Sequence, residues 1–339
     1  MGRTSLFMVM GLGVVFSMIG LNIRHSTDIL TAAETGYYKY SFARNIARTA
    51  IHATLRAYDR NLETIPTSGS FDGGSYSLNL RISTDTLWIT SVGTYAESSY
   101  TMKVKLLRTT KPFPTSNSAI GIRATPINFS ISGGAQVDGR NYDSTGTNLF
   151  GSGDLPGVTT MDPTDSASVA NAGGSNILGN PSVKVDSSTM DPLPFINEYK
   201  STADYYYNTS GTYSGATWGS ASNPVVVYCN AGDDTSFSIK FTGGVVGYGI
   251  LVVRGNVQFN GNFSFYGLVV VDGFNTQVKF GASGTPQVVG GLVVAGNAGA
   301  SVTLKGSGAN AKIKYSSQAL AKARNIGKLR YYSILDWYE

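Results

Sequence analysis

From Leu6 to Ile23 the chain reads LFMVMGLGVVFSMIGLNI, 18 consecutive residues without a charge. As a helix this run covers about 27 Å, close to the hydrocarbon thickness of a bilayer. A secretory signal has a shorter apolar region ending in a small-residue cleavage site, whereas this run passes directly into NIRHSTDIL. Arg3 and Arg24 flank it almost equally, so charge sets no orientation. No proline follows until Pro66, and Ile29, Ala33, Tyr40, Ala43, Ala47, Ala50, Ile51, Leu55, Tyr58 and Leu62 recur near the helical period. The spacing predicts one rod over residues 4–62, about 88 Å long. Gly11, Gly13, Gly20 and Gly36 are its soft points.

Beyond the rod the period changes. SYSLNLRI places Tyr76, Leu78, Leu80 and Ile82 on one face, DTLWITSVG follows, and SYTMKVKLL places Met102, Val104 and Leu106 on one face. This alternation predicts a small antiparallel meander whose apolar face packs on the outer half of the helix. From about residue 115 to 223 the chain is rich in Ser, Gly, Thr, Asn and Asp and reads as loops with short elements laid over a scaffold. Residues 194–207 have helical spacing within it. Tyr205, Tyr206, Tyr207, Tyr213 and Trp218 form either a carbohydrate-stacking platform or, more economically, packing.

Glycines at 243, 249, 255, 261, 267 and 273 recur every six residues, and Gly291 returns 18 residues after Gly273. Between them Leu251 and Val253, Val257 and Phe259, Phe263 and Phe265, and Val269 and Val271 alternate toward one side. A corner every six residues predicts a hexad-based β-solenoid of about three coils, in which Leu251, Val269 and Val293 stack along the axis. A jelly-roll or sandwich of short, glycine-bounded strands is the alternative. SSQALAKARNIG then reads as a helix serving as a lid, and YYSILDWYE as a closing strand. The expected class is α+β, mainly β: a long membrane or filament helix (1–65), an antiparallel sheet (66–114), the loop-rich stretch (115–223) and the solenoid with its capping helix and strand (224–339).

Charge and composition exclude several functions. Basic residues outnumber acidic ones seven to four over residues 1–65 and six to two over 312–339, while 13 face 15 in between. Basic ends on a slightly acidic body do not make a nucleic-acid face. The two histidines, His25 and His52, both lie on the rod, which removes histidine-dependent catalysis and histidine zinc sites from everything beyond residue 52. Asp233-Asp234 and the DPTDS at 162–166 lack the ordered oxygen spacing of a calcium loop. Cys229 is alone and forms no internal disulfide. No catalytic residue, metal or cofactor is expected.

The opening MGRTSLFMVMGLGVVFSMIGLNIRHS followed by YYKYSFARNIARTAIHATL resembles the N-terminal segment of pilin-like proteins of the type IV pilus and type II secretion superfamily, especially PilX-type minor pilins. The GILVVRGNVQFNGNFSFYGLVVVDG region and the closing IKYSSQAL resemble β-helical C-terminal domains found in some of them. The resemblance implies a subunit held in the inner membrane and drawn into an extracellular filament, pairing with copies of itself or other pilins, with the β domain displayed outside; a surface or carbohydrate ligand is a separate candidate partner. It marks Leu6, Phe7, Val9, Leu12, Val14, Val15, Phe16, Ile19 and Leu21 as helix-packing or membrane positions, and Gly2 and Arg3 as the candidate processing point. The glutamate such helices carry five residues in is absent: Phe7 or Ser5 stands there, depending on where counting starts. A membrane-tethered adhesin and a carbohydrate-active β-helix enzyme are the alternative functions.

Overall fold

The computed structural model describes residues 2–59, 65–83, 85–111, 113, 116–188, 191–232, 239–281, 284–306 and 311–339, with side chains except at 2–5, 59 and 328. The chain divides into two units, residues 1–109 with 331–339, and residues 110–330.

The first unit holds one helix, Gly2–Asp59, and one antiparallel sheet. Its strands lie in the order Ser68–Phe71, Gly74–Ile82, Thr86–Tyr95, Ser98–Thr110 and Arg330–Tyr338. Alternation sends Leu87, Ile89, Met102, Val104 and Leu106 to one face, where they are buried against Ala47, Ala50 and Ile51. Small residues on the helix let it approach closely. Gly93 completes the fit, because a Cβ there would overlap the Ala43 carbonyl and the Ala47 amide. The expected helical face holds only in part: Ala43, Ala47, Ala50 and Ile51 are buried, but Ile29 is exposed, Tyr40 stays half-exposed with only its ring edge against Tyr100, and Leu62 lies outside the described residues.

The closing strand departs from expectation. Residues 331–339 belong to the first unit, with Arg330–Tyr338 beside Ser98–Thr110, rather than to a 224–339 module. The whole second unit is therefore an insertion between two neighbouring strands of one sheet. Its own ends meet, with the Lys111 amide donating to the Leu329 carbonyl at 2.7 Å.

The second unit is built on parallel pairing. Strands Val246–Arg254, Ser264–Gly273 and Gln287–Gly296 lie side by side in one large sheet. Thr276–Phe280 and Ala300–Gly306 pair in a second sheet, which also holds Val257–Phe259 and Ile239–Thr242. Parallel ladders exclude the antiparallel sandwich as the arrangement of this region. Gly249, Gly267 and Gly290 lie level across the large sheet with φ of +121°, +140° and +138°. All three lie inside their strands, and a Cβ on Gly267 or Gly290 would overlap the preceding glycine's carbonyl.

That row corrects the register expected from sequence. Gly290, not Gly291, stands opposite Gly267, so Leu292 and not Val293 lies beside Val269. Val293 pairs with Val270 and is buried on the opposite face of the sheet, with Val252 and Leu268. The adjacent glycines hide the one-residue shift, and one residue moves a side chain to the other face. Leu251, Val253, Val257, Phe259, Phe263, Phe265, Val269 and Val271 are all buried in one continuous apolar cluster.

The stretch 115–223 is also not merely loops. Ile120–Arg123 pairs with Gln287–Gly296, and Ile127–Gly133 with Ala300–Gly306. Along the large sheet the order runs Val183–Val185, Val158–Thr160, Ile120–Arg123, Gln287–Gly296, Ser264–Gly273, Val246–Arg254, Val225–Asn230 and Tyr205–Tyr207. The chain thus enters mid-sheet, proceeds to one end, re-enters at the other end and returns to the middle. Helix Leu193–Thr202 is the segment between those two ends, and it packs Phe195, Ile196 and Tyr199 on the sheet's outward face. Helix Ser317–Arg324, capped by the Ser316 hydroxyl, covers that same face through Ala323 rather than closing an end as a lid.

Candidate functional site

Among the described residues of the first unit, the inner part of the helix has no packing partner. Thirteen large apolar side chains between Leu6 and Ile23 are exposed, among them Leu6, Phe7, Val9, Leu12, Val14, Val15, Phe16, Ile19 and Leu21. Exposure runs from 47% at Ile19 to 73% at Phe7, so no face of this segment is covered. Leaving such side chains in water costs roughly 1.5–3 kcal/mol each, on the order of tens of kcal/mol together. A surface of that size requires lipid or protein around it. The helix is long and apolar enough to cross a membrane.

Chemistry along the helix changes in steps. Gly11, Gly13 and Gly20 have nothing within 4 Å of where a Cβ would stand, leaving room for another helix to come close. Thr27, Thr31 and Thr35 each donate to the carbonyl four residues back, at 2.8, 2.9 and 2.7 Å. Their hydroxyls are thereby satisfied within the helix and tolerate removal from water. Farther out, aromatic side chains take over: Tyr40 meets Tyr100 edge-on at 5.2 Å, and Phe42 stacks on Tyr95 at 4.9 Å. Arg44 bonds Glu339, which raises the guanidinium and holds the carboxylate below its ordinary range. His52 lies against Trp337 at 5.5 Å. Gly2 and Arg3 lie on the helix backbone.

Two carboxylates of the second unit sit in closed local networks. The Asp138 carboxylate, buried, accepts from Arg140 at 2.7 Å and from Tyr142 at 2.8 Å. Burial pushes this carboxyl up, but the Arg140 and Tyr142 hydrogen bonds outweigh it and leave it below the usual range. Asp143 organises its turn by accepting from Thr145, Thr147 and Asn148, and these bonds hold it low as well. Burial pushes the Cys229 thiol up, the opposite of what a nucleophile needs. Among the described residues no group of three His, Cys, Asp or Glu side chains is placed to hold a metal. Asp162 caps helix Pro163–Gly173, accepting from the Thr164 and Asp165 amides, and Asp165 accepts from the Ile127 amide at 3.0 Å, so the DPTDS stretch is a helix start. Asp233 and Asp234 lie outside the described residues.

The tyrosine-rich stretch does not form one platform. Trp218 is buried, donating from Nε1 to the Tyr207 hydroxyl at 3.0 Å, and its ring meets Phe241 edge-on. Tyr207 and Tyr213 pack half-buried against the same core, while Tyr205 and Tyr206 are exposed. Sequence alone fixes no role for Trp218 and treats Asp162 only as part of the DPTDS stretch. A Pro directly after Asp is the helix-start signal that marks Asp162.

No family model and no curated protein matches the chain. Among solved structures it is similar to the competence-associated pilin ComZ from Thermus thermophilus, at 10% identity over 88% of this chain and 96% of that one, with a TM-score of 0.27. A likeness at that level assigns nothing to this chain.

Proposed function

We propose that the chain is a non-enzymatic structural subunit of a type IV pilus-like extracellular filament. The observation that carries this reading is a single helix whose outer part is docked on the subunit's own sheet while its inner part presents apolar side chains all round. Such a segment resides in lipid while the subunit is single and packs against sister helices, of this chain or of other pilins, when it leaves lipid. Removal from water is the driving term in both states. Before assembly the subunit sits in the inner membrane with its sheet outside; afterwards it is part of a surface filament. Cleavage between Gly2 and Arg3 would free the helix for assembly.

The second unit is, in this reading, a β-solenoid carried as cargo. Level positive-φ glycines, parallel ladders and a continuous apolar cluster support it. Its insertion between two neighbouring strands lets the head keep its sheet while displaying a large module.

Electron microscopy of material sheared from cells, with peptide mapping of its N-terminus, tests the proposal. Filaments containing this chain are expected. Recovery solely as dispersed membrane monomers would overturn the filament reading and leave a membrane-tethered adhesin.

A further inference from the structure

The smaller parallel sheet of the second unit presents an outward face of polar side chains. Pairing aligns Thr212, Lys240, Gln258, Lys279, Thr303 and Ser130 in one row across six strands. A second row holds Gln277, Ser301 and Asn128, and Lys305 lies beside Ser132. The buried positions of these strands are the apolar ones, Phe241, Phe259, Phe280 and Leu304 among them, so the outward set is left with hydroxyls, amides and three lysines. None of the six strands contains Asp or Glu. Lys240 and Lys305 are exposed and Lys279 is half-exposed. Adjacent strands lie about 4.8 Å apart, so Lys240 and Lys279, two strands apart, are separated by roughly 10 Å along the row.

A groove of about 260 Å³ borders this face, lined by Asn128, Asn275, Gln277 and Ser301 together with the backbone at Gly299. Amide and hydroxyl groups in a groove that Pro126 and Ala298 also line suit a sugar ring, whose hydroxyls need donors and acceptors and whose face is apolar.

From the lysine row and the groove together, we infer that this face binds an extended anionic polysaccharide, one ring held in the groove and its charged groups on Lys240, Lys279 and Lys305. Charge complementarity selects an anionic chain. A polysaccharide is favoured over nucleic acid because the six strands contain no arginine for phosphate forks, and their outward positions carry no aromatic ring for base stacking. The inference does not depend on filament assembly.

Binding is measured with the full chain in detergent, using polygalacturonate, neutral dextran and a short DNA duplex as probes. Polygalacturonate is expected to bind with strong salt dependence, dextran at least tenfold more weakly. Replacing Lys240, Lys279 and Lys305 by Gln lowers polygalacturonate affinity at least tenfold and flattens the salt dependence. Replacing Lys103, Lys184 and Lys200 by Gln, the same change of charge elsewhere, leaves affinity within twofold. Asn275→Ala with Gln277→Ala lowers it several-fold without altering the salt slope. The inference is overturned if polygalacturonate fails to bind at low salt, if the two lysine sets behave alike, or if DNA binds as tightly through the same lysines. An unchanged far-UV spectrum shows that each variant keeps its fold.

Discussion

The two halves of the N-terminal helix share one backbone and have opposite surroundings. Ala47, Ala50 and Ile51 are buried against the sheet, whereas the large apolar side chains around Phe7, Val14 and Phe16 are all exposed. The outer half is amphipathic because its partner is inside the chain; the inner half is apolar all round because its partner lies outside it. The contrast separates substitutions that act on folding from those that act on location.

The largest expected difference comes from one truncation made in both halves. Ile51→Ala should cost about 2–5 kcal/mol in denaturant unfolding of the full chain in detergent, because it opens a cavity under the sheet. Ile19→Ala should stay within about 0.5 kcal/mol in the same experiment, since nothing in the subunit packs on it. Equal effects would break the contrast.

A charge sharpens it from the other side. Val14→Asp should weaken membrane insertion by about 2.5–3.5 kcal/mol, read as the membrane-bound fraction after flotation. The near-UV signal of Trp88 and Trp337 in the first unit should be unchanged. Glycines give a smaller contrast. Gly93→Ala should destabilise the first unit by about 1–3 kcal/mol through overlap with the helix backbone. Gly13→Ala, in open space, should strengthen the helix by up to about 1 kcal/mol, seen as higher helical content in detergent.

Acid produces the smallest effect. Glu339 is held below its ordinary value by Arg44, so the contact contributes stability above about pH 4.3, the unfolded value, and loses it as pH falls through the folded one. The outer half should therefore loosen slightly in acid, as amide exchange near Arg44 would report, and Glu339→Gln should abolish that response. The inner half has no acidic residue between Leu6 and Ile23 and should show no such dependence.

Much of this was legible before any coordinates. An uncharged run of membrane length, a helical period without proline and alternating strands each leave a local signature. What sequence could not give was non-local. Arg330–Tyr338 reads as a strand, but nothing in it says that its neighbour is Ser98–Thr110, more than 200 residues earlier. Strands of two to four residues such as Thr217–Trp218 and Ile120–Arg123 are too short for alternation to show. The Gly290-Gly291 pair permits two registers, and only the positive φ at Gly290 decides between them. At the candidate site the exposed apolar run was readable as composition. That the same helix docks from Ala43 onward depended on Gly93, a residue whose function is to be absent as a side chain.

The most direct test follows one position through both environments. Cys229 is buried, so a thiol introduced by Val14→Cys can be labelled selectively with an environment-sensitive fluorophore. In membranes the label should be shielded from a water-soluble quencher without cross-linking between subunits. In sheared filaments it should remain shielded, and the unlabelled thiol should cross-link to a sister helix. A label equally shielded in lipid-free, monomeric protein would show that the inner half is covered by its own chain, and the account would be wrong.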